Sequence, residues 1–130
     1  MEYEELTRKV IGCAYTVYNR MGFGFLESVY EQCLLIELGR AGIRAASQVP
    51  IRVQYDGHPV GEFVADILVE DALIVELKSV RALNEAHEVQ LVNYLVATGK
   101  PVGLLLNFGP DKVHVKRRLR EFPAPPGPIQ

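Results

Sequence analysis

Leu6, Val10, Cys13 and Val17 recur at helical spacing and predict a first helix over residues 4–20. Met21-Gly22-Phe23-Gly24 interrupts that pattern. A second helix is predicted over 26–40, with Leu26, Val29, Tyr30, Cys33 and Leu34 on one face and Gly42 just past its end. From Val49 to Tyr55 the pattern changes to alternation, as in a half-buried strand, and Asp56-Gly57 is a hairpin turn signal. Two further strand-like runs, 61–69 and 72–78, flank Glu70-Asp71. Helical spacing returns over 84–98, with Val89, Val92 and Val96 as its packing face, and stops at Gly99-Lys100-Pro101. An apolar strand over 102–108, a turn over 109–111 and an alternating strand over 112–118 follow.

The element order is therefore α-α-β-β-β-α-β-β, an α/β domain. The strand after the third helix can lie parallel to the 72–78 strand through a right-handed crossover, giving a mixed sheet with helices against it. No repeat or linker divides residues 1–120. The Pro-rich end, 121–130, is expected to form an extended, poorly ordered tail.

Composition narrows the class without naming a function. A chain of 130 residues, 48% hydrophobic and 23% charged, can bury a core as one globular domain. The net charge of −2 does not mark a nucleic-acid binder, but the charge is uneven. Lys112, Lys116, Arg117, Arg118 and Arg120 face only Asp111, a local balance of +4. Such a stretch suits a phosphate backbone, or equally an edge strand protected from aggregation. Cys13 and Cys33 sit among apolar neighbours without metal-ligand spacing and are expected to be structural thiols. The acidic start has no signal-peptide pattern, and no run approaches the ~20 apolar residues of a membrane span, so a cytoplasmic location without membrane contact is expected.

Candidate chemistry begins with Glu76-Leu77-Lys78, which lies in the apolar run 72–78. Residues two apart on a strand project from one face. An acid and a base buried there cost several kcal/mol per ion unless they are paired or hold a cation. If the flanking runs form a hairpin centred near Asp71, Asp66 stands opposite Glu76. Directly opposed residues have Cβ atoms roughly 4.5–5.5 Å apart, and two carboxylates at that distance need a proton, a lysine or a metal between them.

Asp66, Glu76 and Lys78 in this strand context resemble the PD-(D/E)xK nuclease superfamily. Gln90-Leu91-Val92-Asn93-Tyr94 is similar to the QxxxY element that many of its members carry on the next helix. Gly24-Phe25-Leu26-Glu27-Ser28-Val29-Tyr30 matches the signature of a small bacterial group within it, the GxxExxY proteins. The position before Asp66 is Ala65, where the motif name has Pro. The resemblance runs from the first helix through Val115 and implies a restriction-endonuclease-like three-layer fold, with a mixed central sheet flanked by helices.

It also implies a metal-dependent nuclease acting on DNA or RNA. Asp66, Glu76, Glu27 and the carbonyl of Leu77 would bind Mg²⁺ or Mn²⁺, since oxygen-only ligation favours hard ions over zinc. Glu27, Asp66, Glu76 and Lys78 leave a local charge of −2, which one divalent ion neutralises. Lys78 would orient the attacking water, and Gln90 and Tyr94 would position substrate or Lys78. His87, one turn before Gln90, is expected at the surface. Tyr30 would support Glu27 from beneath, and Gly24 would supply a backbone conformation at the helix start. Two other readings are a non-enzymatic module that keeps the fold and binds nucleic acid or protein, and a salt-bridge cluster in which Lys78 bridges the two acids. A small protomer offers little contact surface, which leaves room for a homo-oligomer.

Overall fold

The computed structural model describes residues 3–120, so the Pro-rich tail lies outside the described residues. The elements are α1 (Glu4–Met21), α2 (Glu27–Arg40), β1 (Ala45–Tyr55), β2 (His58–Val69), β3 (Leu73–Lys78), α3 (Glu85–Thr98), β4 (Val102–Phe108) and β5 (Val113–Leu119). The strands form one sheet in the order β1-β2-β3-β4-β5. Only β3 and β4 are parallel, joined by the α3 crossover; the other neighbours are antiparallel.

Helices cover both faces. Val10, Ala14 and Val17 of α1 and Tyr30, Leu34 and Leu38 of α2 share a core with Leu73, Val75, Leu77 and alternate residues of β4. On the other face Leu91, Tyr94 and Leu95 of α3 meet Ile51, Ile74 and Leu105. β4 is buried along its whole length because it lies inside the sheet with a helical layer on each side. This is the expected three-layer arrangement.

The α3 packing face differs from the sequence expectation. Val89 and Val96 are 51% and 41% exposed, whereas Leu91, Tyr94 and Leu95 are buried. Gly103 on β4 decides between the two stripes. A Cβ there would lie 2.7 Å from Leu91 Cδ1, so the missing side chain is the space into which Leu91 settles. Asn84 caps the helix, accepting from the His87 N–H (3.2 Å) while its own N–H donates to His87 Nδ1 (3.3 Å). His87 is thus half-buried and part of a cap.

β1 starts at Ala45, earlier than its alternation suggests, because Ala46 and Ser47 pair with Leu68 and Ile67. Gln48, with a φ of 53°, interrupts the pairing of β1 with β2 but not the strand. The Asp56-Gly57 hairpin has both residues at positive φ, as a primed turn requires. The basic stretch forms edge strand β5, where Arg118 ion-pairs with Glu88 on α3. Cys13 and Cys33 are free and half-buried. Among the described residues no helix is long and apolar enough to cross a membrane.

Candidate active site

Ala72 N–H donates to Val69 O (3.0 Å), closing a tight turn in which Glu70 and Asp71 have φ of 51° and 54°. That turn sets the β2–β3 register as Val69↔Leu73, Leu68↔Ile74 and Ile67↔Val75. The next opposed pair is Asp66 and Glu76, and there the backbone ladder gives way to side chains. Asp66 N–H donates to Glu76 Oε1 (3.1 Å), and Leu77 N–H donates to Asp66 Oδ2 (2.8 Å). Each carboxyl is held by the strand that carries the other. The two fill the gap where β2 and β3 part.

This gap is a poor place for two negative charges. Burial, then the neighbouring Asp66 charge, push the Glu76 carboxyl up to about 8; the Asp66 N–H and Lys78 oppose the rise. Lys78 lies on the same side of β3 as Glu76 and is half-buried. Among the described residues it is within ion-pair distance of neither acid, so the salt-bridge cluster does not form. Tyr94 reaches this region from α3. Its hydroxyl is raised by burial and then by the Glu76 and Asp66 charges. Gln90, one turn earlier on α3, is exposed on the rim of a groove that Tyr94 also lines.

Glu27 approaches from the other helical layer. It opens α2, and its Oε2 accepts from Ser79 N–H (3.3 Å) directly after Lys78. Ser79 Oγ donates to Phe25 O (2.9 Å), which ties the α1–α2 loop to the end of β3. Tyr30 is fully buried, stacked on Phe108 with ring centres 4.3 Å apart. Its hydroxyl donates to Gly22 O (2.5 Å) and accepts from Phe25 N–H (3.3 Å). Gly24, with a φ of 114°, lets the chain turn into α2. The Gly24, Glu27 and Tyr30 signature therefore fixes where α2 begins. Among the described residues no three acidic, histidine or cysteine side chains converge as a ligand cluster. Asp66 and Glu76 are brought together, and Glu27 stands outside that pair.

Two polar residues here were missed in the sequence. Glu31 is buried beside Tyr30, and its Oε1 accepts from Gln48 Nε2 (2.7 Å). Its carboxyl is raised by burial first, eased by Gln48, and raised again by the Asp66 charge. The signal was an acid between the buried positions Tyr30 and Leu34. Asn107, also fully buried, accepts from Val80 N–H (2.9 Å) and donates to Val80 O (2.8 Å). It pairs in register with Lys78, so it anchors the chain just beyond the lysine. Its signal was a lone amide in the apolar run 102–108.

The pair suits a hard divalent cation. Its donors are carboxylate oxygens, held by backbone N–H groups, and one of them resists ionisation in the absence of added positive charge. In a strand the N–H and C=O of one residue point to the same side. The Leu77 carbonyl is thus directed toward the gap that its N–H enters.

No curated protein sequence matches this chain. Its fold is similar to the crystal structure of SSO0001, with 19% identity and a TM-score of 0.59 over 94% of this chain and 61% of that one. The chain thus spans about three fifths of that protein's length. An alkaline exonuclease from Laribacter hongkongensis aligns at 13% identity and a TM-score of 0.48, over 83% of this chain and 76% of that one. A family model of the PD-(D/E)XK nuclease superfamily matches residues 4–119. That span takes in every element from α1 to β5 with Asp66, Glu76 and Lys78 inside it, and the chain belongs to the PD-(D/E)XK nuclease superfamily.

Proposed function

We propose that this protein is a divalent-metal-dependent nuclease that hydrolyses phosphodiester bonds in DNA or RNA. The observation that carries the reading is the Asp66–Glu76 pair, two carboxyls pressed together in the gap between β2 and β3 with Lys78 beside them. Members of the superfamily generally use divalent ions. Asp66, Glu76 and the Leu77 carbonyl would hold Mg²⁺ or Mn²⁺, with Glu27 joining directly or through water. The ion would neutralise phosphoryl charge and supply a nucleophilic water. Lys78 orients that water and stabilises negative charge as it develops. Tyr94 and Gln90 contact the substrate from α3. The signature at Gly24, Glu27 and Tyr30 supports placement in the GxxExxY group, and a cytoplasmic site of action is part of the same proposal.

The test is cleavage of single- and double-stranded DNA and RNA with Mg²⁺ or Mn²⁺ and with chelator. Activity lost in chelator, in Glu76→Ala and in Lys78→Ala is expected. Nucleic-acid binding without cleavage under any condition would sink the enzyme and leave a binding module. Cleavage that persists in both variants would show that other residues do the chemistry.

A further inference from the structure

We propose that Phe63, Asn93 and Gln90 form a subsite for one unpaired nucleobase beside the Asp66–Glu76 pair, so that the strand being cut is single-stranded there. The proposal rests on the nuclease reading and names the substrate form which that site takes. Phe63 lies on β2, three residues before Asp66, or about 10 Å along the strand. Phe63 is 41% exposed as a residue, and its ring leans on Tyr94, with centroids 5.1 Å apart and planes inclined by 44°. The aromatic pair thus runs from solvent to the acids whose charges act on the Tyr94 hydroxyl.

The groove beside this ring measures about 540 Å³, and its lining includes Phe63, Tyr94, Gln90, Asn93, Val89 and Glu85. Gln90 and Asn93 are exposed, and neither side chain makes a hydrogen bond among the described residues. Carboxamides carry both a donor and an acceptor, which is what the edge of a base requires. The ring offers a stacking face suited to any base. No cation lines this groove and Glu85 borders it, so it suits an uncharged planar group better than a phosphate. The adjoining groove, about 660 Å³, shares Phe63 and Asn93 and adds Arg52. Arg52 has no ion-pair partner among the described residues and can meet the backbone of a strand whose base lies on Phe63. A base inside a duplex has both faces stacked and its pairing edge occupied, so only an unpaired one fits.

The probe is a short single-stranded DNA carrying 2-aminopurine at each position in turn, bound in chelator so that no cleavage occurs. Wild-type protein should quench the fluorophore at one position. Phe63→Ala should abolish that quenching and weaken binding about tenfold, while Phe63→Tyr retains both. Asn93→Ala should keep the quenching and lose discrimination among bases at that position. In cleavage assays Phe63→Ala should raise KM, and an abasic site at the same position should make wild type and variant equal. Binding and cleavage without position-specific quenching would overturn the subsite and leave the nuclease standing. Absence of both binding and cleavage would overturn the two together. A wild-type dimer that Phe63→Ala converts to monomer, with no fluorescence change, would overturn the proposal and assign the groove to a second copy of the chain.

Discussion

The Asp66–Glu76 pair makes the metal-free protein sensitive to base. In the folded chain Glu76 keeps its proton up to about pH 8, against 4.5 for the ordinary group. Between those values the folded state holds a proton that the unfolded state has released. Its stability therefore falls as pH rises through that window and levels off above it. Each pH unit inside that window costs at most about 1.4 kcal/mol. Glu31, also raised, adds in the same direction. Glu70 and Asp71, lowered by Arg44 and Lys100 respectively, act oppositely and only in acid.

Glu76→Gln isolates the effect. The amide oxygen can still accept the Asp66 N–H, and its NH₂ can donate to the Asp66 carboxylate, so the strands stay joined without a second charge. Thermal or urea unfolding of wild type in chelator should show stability declining from pH 5 to pH 9. The variant should be much flatter and melt higher at pH 9, at about 3–4 °C per kcal/mol for a chain of this size. Mn²⁺ should restore the wild type most at high pH and leave the variant almost unmoved. A wild-type profile that is level or rises from pH 5 to 9 would refute the assignment of Glu76 as a buried acid opposed by Asp66. An equal slope in Glu76→Gln would refute it too.

Asn107→Leu keeps the size but strands both polar groups of Val80, and should cost about 2–4 kcal/mol in urea unfolding; a loss below about 1 kcal/mol would refute the clamp. Tyr30→Phe leaves the Phe108 stack in place but frees Gly22 O and Phe25 N–H, so about 1–2 kcal/mol should be lost and Phe25 amide exchange should quicken. Unchanged exchange would mean that the hydroxyl does not hold this loop. Gly103→Ala should cost about 1–3 kcal/mol by pressing on Leu91, and Leu91→Ala in the same chain should cost less than the two single changes combined. Strict additivity would show that the two do not touch.

The hairpin was legible because a tight turn and a two-residue period leave little freedom. Once the hairpin is centred on Asp71, with Glu70, Asp71 and Ala72 outside the ladder, Asp66 must stand opposite Glu76, since a slip of one residue would send the apolar positions of β2 to the wrong face. What the two carboxyls do to the ladder was not legible, because the bonds from Asp66 N–H and Leu77 N–H form only after the strands have paired. The face of α3 was ambiguous for another reason. Its valines and its Leu91/Tyr94/Leu95 stripe are both apolar, and the deciding space is at Gly103, on a strand that follows the helix in the chain.

Glu31 and Asn107 show the same limit in polar form. Each stands in an apolar pattern, and each is satisfied by a partner distant in sequence: Gln48 for the first, Val80 for the second. A buried polar group without a partner costs enough that its survival in such a pattern predicts a partner somewhere. The pattern cannot say whether that partner is a ligand, a metal or the chain itself. For Asn107 both ends of the amide are consumed by Val80, so its work is to hold the end of β3. For Glu31 one oxygen takes Gln48 while Asp66 acts on it by charge alone, so its field belongs to the carboxylate pair. The site is therefore wider than its motif: Asp66, Glu76 and Lys78 lie on one hairpin and are anchored by its own backbone and by Asn107 on β4, while Glu31 and Tyr94 border them from the two helical layers.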